Sequence, residues 1–218
     1  MQMLELQDLE FLLLENSMLS ILIPHKRGIK NDLALQLNVQ MLLENTVNQF
    51  ELLVDTMDGC PYRLWNEMAR KAKYEILVFS NSDVLMSKGW DSYIPNYVID
   101  NNITTGYLVE PGIIGVFWQN ITKNFGMSPE DFNRLEFEKF AISHTTQLDE
   151  VRHERAWYMP CFMKRDWFLG VGGFDIENPF PYPNDEKFWN DVESQYDTIF
   201  LRIPSIAYHF QNLTGRDG

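Results

Sequence analysis

The stretch AKYEILVFSNSD, residues 72–83, is the part of the sequence that decides the fold. Its apolar run EILVFS, residues 75–80, passes directly into the polar triplet Asn81-Ser82-Asp83. A short continuous apolar run is typical of a strand that is buried on both faces of a parallel sheet. Ligands of such sheets bind beyond the carboxyl ends of the strands. The triplet is therefore a candidate binding segment.

Two similar strands precede this stretch, and helical patterns lie between them. LSILIP, residues 19–24, is stopped by a proline, and FELLV, residues 50–54, ends at Asp55. The β-α-β-α-β order predicts an α/β fold with a mostly parallel central sheet flanked by helices and right-handed crossovers. The helical positions are Leu33, Leu37 and Met41, with Asn31 or Asp32 as a cap, and then Leu64, Met68 and Ala72.

The second half of the chain is predicted to be more irregular and to bind the second substrate. We divide the chain into an N-terminal helical extension, residues 1–18, and a single domain, residues 19–218. The elements predicted in this half are a helix over Trp90 to Val98 kinked by Pro95, a helix opened by Ser128-Pro129 and running to about Phe140, a strand over 157–164, a helix over 185–195 and a strand over 198–203.

The net charge restricts the partners. With Lys+Arg 18 against Asp+Glu 31, the 218-residue chain carries a formal charge of −13. A nucleic acid polymer or an anionic membrane needs a basic protein face, so neither is expected as the main partner. An acidic protein with an anionic ligand is instead expected to depend on a divalent cation.

The sequence also gives an expectation about location. No apolar run approaches the roughly 20 residues of a membrane span, and the N-terminal segment lacks the basic start of a signal peptide. Cys60 and Cys161 are too few for a disulfide framework, which favours a reducing compartment. We therefore expect a cytoplasmic protein without a membrane span.

Several familiar motifs are missing from the sequence. There is no GxGxxG after the first strand and no GxxxxGK[ST], so neither a Rossmann dehydrogenase nor a P-loop enzyme is supported. GxSxG is also absent, which argues against the usual hydrolase nucleophile turn.

The motifs that are present resemble those of inverting glycosyltransferases of family 2, which have the GT-A fold. The resemblance extends from about Leu19 to Asn212. Each motif is short, but their order and spacing together are fairly specific. They are SILIPHKR at 20–27, LLVD at 52–55, Asn66 followed by AKYEILVFSNSD, RDWFLGVGGFD at 165–175, NDEKFW at 184–189 and YHFQN at 208–212.

The resemblance implies a Mn²⁺ or Mg²⁺ site. The family's Asp-x-Asp motif corresponds here to Asn81-Ser82-Asp83, which makes Asp83 a metal ligand and places Asn81 and Ser82 at the nucleotide. His209 corresponds to a histidine that completes the metal site in many relatives. The alternatives are that Asp83 only caps the following element and that His209 is a packed histidine.

The resemblance also implies residues for the nucleotide. Pro24 and His25 would line the nucleoside pocket, Asp55 would accept the base N–H of uracil or a similar base, and Arg63 and Asn66 could reach the base or the phosphates. The alternative for Arg63 is a solvated side chain at the start of a helix.

The catalytic base implied by the resemblance is Asp185. It belongs to the Asn184-Asp185 pair, where the family has a Glu-Asp-like pair that deprotonates the acceptor hydroxyl. Glu186 is the competing candidate, and both acids could simply favour a helix N-terminus. Trp189, one turn after Asp185, is the predicted acceptor contact.

The sequence therefore predicts a metal-dependent inverting glycosyltransferase. It would move a sugar from a nucleotide-diphosphate donor, most readily a UDP-sugar, to a hydroxyl of a glycan or related acceptor. The alternatives are a non-catalytic glycan- or nucleotide-binding module of the same fold, favoured by Asn81 and Asn184, and a sugar nucleotidyltransferase.

Overall fold

The computed structural model of the chain describes residues 18–56, 60–112, 120–146, 152–153, 159–177 and 184–211. Within these ranges, residues 152–153 and 184–185 are described by their backbone only. The predicted extension, residues 1–18, lies outside this range except for Met18, which already belongs to the first strand.

The predicted strand and helix alternation of the N-terminal half is present. It consists of β1 (Met18–His25), α1 (Ile29–Asn45), β2 (Gln49–Thr56), α2 (Pro61–Lys71) and β3 (Ile76–Phe79). The first strand pairs in parallel with both of the others, so it is the centre of this unit. The carboxyl ends of all three strands therefore meet at one edge.

The second half adds six strands and four helices within the described residues. β5 and β9 are its longest strands and pair with each other in parallel. The elements are β4 (Val84–Met86), α3 (Ile94–Tyr97), β5 (Asn102–Glu110), β6 (Ile121–Thr122), α4 (Arg134–Thr145), β7 (Arg152–His153), β8 (Cys161–Lys164), α5 (Arg165–Gly170), α6 (Asn184–Gln195) and β9 (Ile199–His209).

The sheet is mixed, so the prediction of a mostly parallel sheet is wrong. Its strand order is β2-β1-β3-β8-β5-β9-β4, with β6 beside β5 and β7 beside β9. β8 runs antiparallel between β3 and β5, and β4 runs antiparallel to β9. A buried strand has the same apolar sequence in either direction, so the pattern of residues did not reveal the reversal.

The central strands direct alternate side chains to helices on opposite faces of the sheet. Leu22 and Phe79 pack with Trp65 of α2 and with Phe168 and Phe188 of α5 and α6. The neighbouring residues on the same strands pack on the other face, with Leu42 of α1 and Ile94 of α3; they are Ile21, Ile23, Ile76 and Val78. Helices on both faces are what a nearly continuous apolar strand requires.

The buried face of α1 differs from the predicted one. Leu33 and Leu37 are only half buried, and Met41 is buried as predicted. The helix begins at Ile29 after an N-cap at Gly28, so neither Asn31 nor Asp32 is its cap. The side chains of α1 that are buried are Asn31, Ala34, Asn38, Met41, Leu42 and Asn45.

Two other helix predictions were too long at their N-terminal ends. Only Ile94–Tyr97 is helical in the segment around Pro95. Ser128 begins a turn rather than a helix, because the Asp131 carboxylate accepts hydrogen bonds from the backbone N–H groups of Met127 and Ser128. The helix that follows is capped instead by the Asn133 side chain, which accepts from the Glu136 N–H. None of the described helices is long and apolar enough to span a bilayer.

Candidate active site

Three polar side chains meet where β4, β5 and β9 lie together. Val84, the first residue of β4, pairs with His209, the last residue of β9, so the preceding Asp83 lies beside that histidine. On the other side of β9, Val109 pairs with Tyr208, which places Glu110 next to His209. The strand registers thus bring together three residues that are far apart in sequence.

The His209 imidazole lies between the two carboxylates. Its Nδ1 is 2.8 Å from Glu110 Oε1, and its Nε2 is 3.5 Å from Asp83 Oδ2. Asp83 is completely buried and Glu110 nearly so, while a quarter of the His209 side chain is exposed. Glu110 also accepts a hydrogen bond from the Asn120 amide through Oε2, at 2.9 Å. Glu110 therefore fixes the orientation of the ring and leaves Nε2 on the side of Asp83.

The two carboxylates change the ionisation of the histidine. Burial alone would lower the pKa of His209, but the charge of Asp83 and the hydrogen bonds to Asp83 and Glu110 outweigh burial and raise the pKa to about 10. For Glu110, burial favours the neutral acid, but the hydrogen bonds from His209 and Asn120 outweigh it and lower the pKa. At neutral pH the metal-free site therefore holds one cation between two anions.

We expect the His209 ring to titrate near pH 10 in the metal-free protein rather than near the ordinary value of 6.5. Its folded-state pKa is raised, so the stabilisation from this charge is complete below about pH 6.5 and is lost as the pH rises through about 10. NMR titration of the histidine rings measures the midpoint. Glu110→Gln should lower the midpoint because one carboxylate is removed. A wild-type midpoint near 6.5 would contradict this electrostatic description.

Asp83, Glu110 and His209 are the residues to consider as metal ligands at this site. No group of three or more His, Cys, Asp or Glu side chains within the described residues has the arrangement of a complete metal site. Glu110 lies on the Nδ1 side of the ring, away from the Asp83 contact. The described residues thus offer two candidate ligand atoms here, Asp83 Oδ2 and, once its proton is displaced, His209 Nε2. Further ligands would come from a substrate or from another part of the chain.

The carboxyl ends of β1 and β2 lie side by side, as predicted. Pro24 pairs with Asp55 and His25 with Thr56. His25 is buried, and its Nε2 is 2.7 Å from Asp32 Oδ1, a contact that lowers the pKa of the Asp32 carboxyl. Its other ring nitrogen, Nδ1, is buried without a hydrogen-bond partner among the described residues. This nitrogen therefore has an unused hydrogen-bonding position among the described residues.

The remaining predicted nucleotide residues differ in exposure. Asp55 and Asn81 are half buried, Ser82 is buried, and Arg63 is exposed on the first turn of α2. The backbone carbonyl of Asn81 accepts hydrogen bonds from the Val84 N–H and from the Asn38 amide. Asn81, Ser82 and Asp83 therefore form a hydrogen-bonded turn between β3 and β4.

Asn66 serves the backbone of a loop. Its Nδ2 donates to the Phe174 carbonyl at 2.8 Å, and its Oδ1 accepts from the Phe174 N–H at 2.9 Å. The side chain is buried and both of its polar atoms are used. The structure thus gives Asn66 the role of holding the GGFD turn, residues 172–175, against α2. The predicted contact of Asn66 with a nucleotide stays a prediction.

We expect Gly173→Ala to destabilise the fold more than Gly172→Ala. Both glycines have positive φ, +71° and +96°, so alanine at either position costs about 1 kcal/mol of backbone strain. A Cβ at Gly173 would lie 2.6 Å from Asn66 Oδ1, whereas a Cβ at Gly172 would meet nothing within 4 Å. Displacing Asn66 should bring the total loss in the free energy of unfolding for Gly173→Ala to about 3 kcal/mol. Urea unfolding measures both variants, and equal losses would refute the role given to Asn66.

The predicted catalytic and acceptor residues lie on α6. Asp185 is in the first turn of that helix, and its side chain lies outside the described residues. Trp189 is fully buried, and its ring packs against Phe188 in the core. The structure thus places the Trp189 indole in the core rather than on a surface that an acceptor could reach.

Sequence reasoning did not identify Glu110 or Asp32 as part of this edge. Glu110 ends the apolar run of β5, a strand that was not predicted. A polar residue directly after an apolar run is the same signal that identified Asp83, so the sequence did contain a pointer to Glu110. The sequence indicates Asp32 only as a possible helix cap, because its contact with His25 depends on the position of the chain after β1.

Comparison with known proteins supports the fold. Neither the models of protein families nor the sequences of curated proteins match the chain. Among solved structures, GalNAc-T7 with UDP, GalNAc and Mn²⁺ is similar over 88% of this chain and 43% of that chain, with a TM-score of 0.57 and 12% identity. S. aureus TarS 1-349 in complex with UDP is similar over 88% of this chain and 60% of that chain, with a TM-score of 0.57 and 10% identity.

These likenesses show that the chain has a GT-A-type fold. The chain spans less than two thirds of the length of either neighbour. At such low identity the comparison concerns the fold, and membership of the inverting family 2 remains an inference from the sequence motifs.

Proposed function

We propose that the chain is a metal-dependent inverting glycosyltransferase that transfers a sugar from a nucleotide-diphosphate donor, UDP-sugar above all, to a hydroxyl of a glycan or related acceptor. The observation that carries this proposal is the meeting of Asp83 and His209 at the strand ends, within a fold shared with two glycosyltransferases solved with UDP. This edge of the sheet is where open α/β folds bind nucleotides.

Asp83 and His209 are the proposed protein ligands of Mn²⁺ or Mg²⁺. Ligand atoms lie about 2.1 Å from such ions, so two atoms at adjacent octahedral positions are about 3 Å apart. The 3.5 Å between Asp83 Oδ2 and His209 Nε2 needs only a small adjustment of the exposed part of the ring. A bound divalent ion would neutralise the charge of the leaving diphosphate, whose oxygens would complete the coordination.

The ends of β1 and β2 are the proposed nucleoside pocket. Pro24 and His25 would line it, and Asp55 on the neighbouring strand would accept the N–H of the uracil base. The buried Nδ1 of His25 supports this assignment, because a buried polar atom without a partner among the described residues is expected to bind a ligand or water. Asn81 and Ser82 would contact the ribose side of the donor, and Arg63 the phosphates.

Asp185 is the proposed general base. An inverting transfer is a single in-line displacement, so one carboxylate must take the proton of the acceptor hydroxyl on the side opposite the leaving nucleotide. Asp185 opens α6, the helix packed directly behind the GGFD turn through Phe188 and Phe174. Glu186, the next residue of the helix, is the competing candidate.

A non-catalytic nucleotide- or glycan-binding module is the second candidate. Asn81 and Asn184 favour it, because acidic residues are expected at both positions by the family resemblance. Such a module would retain the pocket at β1 and β2 while lacking turnover.

A panel of nucleotide sugars distinguishes the two functions. The full chain is incubated with each donor and Mn²⁺, and nucleoside diphosphate release is measured with and without EDTA. If the chain is a transferase, we expect slow, metal-dependent hydrolysis of one donor by water in the absence of the acceptor. Thermal stabilisation by a donor without any release, with or without metal, would favour the binding module and contradict the proposed transfer.

A further inference from the structure

Three buried asparagines form a row along one face of α1. Asn31, Asn38 and Asn45 are spaced seven residues apart, which places them on one side of the helix. Each donates its amide to a backbone carbonyl outside the helix. Asn31 reaches the Lys26 carbonyl at 3.0 Å, in the loop after β1.

The other two asparagines bond to β4, the last strand in the sheet order. Asn38 donates to the Val84 carbonyl at 2.7 Å, and Asn45 donates to the Met86 carbonyl at 2.7 Å. Alternate carbonyls of an antiparallel edge strand point away from its only partner. The side chains of α1 therefore bond to the outward-facing groups of β4, as a neighbouring strand would.

Asn38 also bonds to the carbonyl on the other side of Asp83. Its Nδ2 lies 2.9 Å from the Asn81 carbonyl in addition to its bond with Val84. One amide group thus bridges the residues that flank Ser82 and Asp83. Asn38 is 1% exposed, and its Oδ1 accepts no hydrogen bond among the described residues. The bonds that this buried side chain makes there are therefore the two that its Nδ2 donates.

We propose that Asn38 is a positioning residue for the proposed metal ligand Asp83, acting by holding the turn from Asn81 to Val84 against α1. The inference rests on the proposed function. A metal ligand on a turn binds well only if the turn is held in place before binding, and loss of such supporting groups commonly reduces metal affinity. Asn45 bonds to β4 two residues further on, so it supports the strand without contacting the turn.

The test compares Asn38→Ala with Asn45→Ala in the full chain. Both variants remove a buried amide that joins α1 to β4, so both should lower the free energy of unfolding. The specific readout is the gain in UDP affinity on adding Mn²⁺, measured by calorimetry. We expect Asn38→Ala to reduce that gain about tenfold and Asn45→Ala to leave it unchanged. An unchanged gain in Asn38→Ala, or an equal loss in both variants, would overturn the inference.

Two additions keep the test decisive. If Asn38→Ala does not fold, Asn38→Ser retains one donor and should give a smaller loss in the same direction; an unchanged gain in this variant overturns the inference.

If the wild-type protein binds no UDP, the proposed function fails, and hydrogen exchange of the Val84 amide then decides the positioning role. This amide donates to the Asn81 carbonyl and should exchange faster in the Asn38 variant than in Asn45→Ala. Equal exchange would overturn the inference.

Discussion

Replacing Asp185 by asparagine should reduce sugar transfer about a thousandfold while leaving UDP binding unchanged. Asparagine has the shape of aspartate but cannot take a proton from the acceptor hydroxyl, so the step that needs the base is lost. The proposed donor site lies at the ends of β1 and β2 and at the turn that contains Asp83, and the substitution changes neither. The measurement is the rate of UDP release from a UDP-sugar, alongside the dissociation constant for UDP.

Two variants on the same helix are controls for this experiment. Glu186→Gln changes the neighbouring acid, and Asp191→Asn changes an acid that pairs with Lys187 further along α6. Both should retain most of the rate. If Glu186→Gln loses the activity and Asp185→Asn does not, the base is Glu186 and the assignment from the family resemblance is off by one residue.

Replacing Asp83 by asparagine should abolish the effect of Mn²⁺ on UDP binding, so that the whole wild-type gain in affinity, at least about tenfold, is lost. The substitution removes the negative charge that attracts the ion but keeps the size of a completely buried side chain. The His209 pKa should fall at the same time, because the charge of Asp83 helps to raise it. Calorimetry with UDP and Mn²⁺ measures the first effect, and NMR of the histidine rings measures the second.

Asp91→Asn is the matched control for Asp83→Asn. Asp91 is also completely buried, and its carboxylate accepts hydrogen bonds from the backbone N–H groups of Val47 and Asn48. Its loss should cost stability, about 3 kcal/mol, without altering the Mn²⁺ dependence of UDP binding. If both variants lose that dependence equally, the effect reflects general destabilisation rather than the loss of a ligand.

The N-terminal half of the fold was readable from the sequence because β1 and β3 are buried almost throughout, and the half-exposed edge strand β2 still contains a short apolar run. LSILIP, FELLV and EILVFS correspond to β1, β2 and β3, and the carboxyl ends of these strands meet at one edge. Local patterns suffice for parallel strands joined by single helices, because such connections are short and follow a nearly uniform handedness rule. The antiparallel insertion of β8 follows instead from long-range packing, which no local pattern encodes.

The site was only partly predictable for a related reason. Asp83 and His209 were identified separately, and their contact depends on the antiparallel register that pairs Val84 with His209. Glu110 depends on the parallel register of β5 with β9. The buried face of α1 was misjudged because asparagine is normally exposed, whereas Asn38 and Asn45 are buried by bonding to carbonyls of an edge strand.

Calorimetric titration of the full chain with UDP, once with Mn²⁺ and once with EDTA, tests the central claim most directly. We predict binding that is at least about tenfold tighter with Mn²⁺, because the diphosphate and the Asp83-His209 pair would share the ion. Equal affinity in both titrations, or no binding of UDP in either, would contradict a metal-dependent nucleotide-sugar site at the ends of these strands.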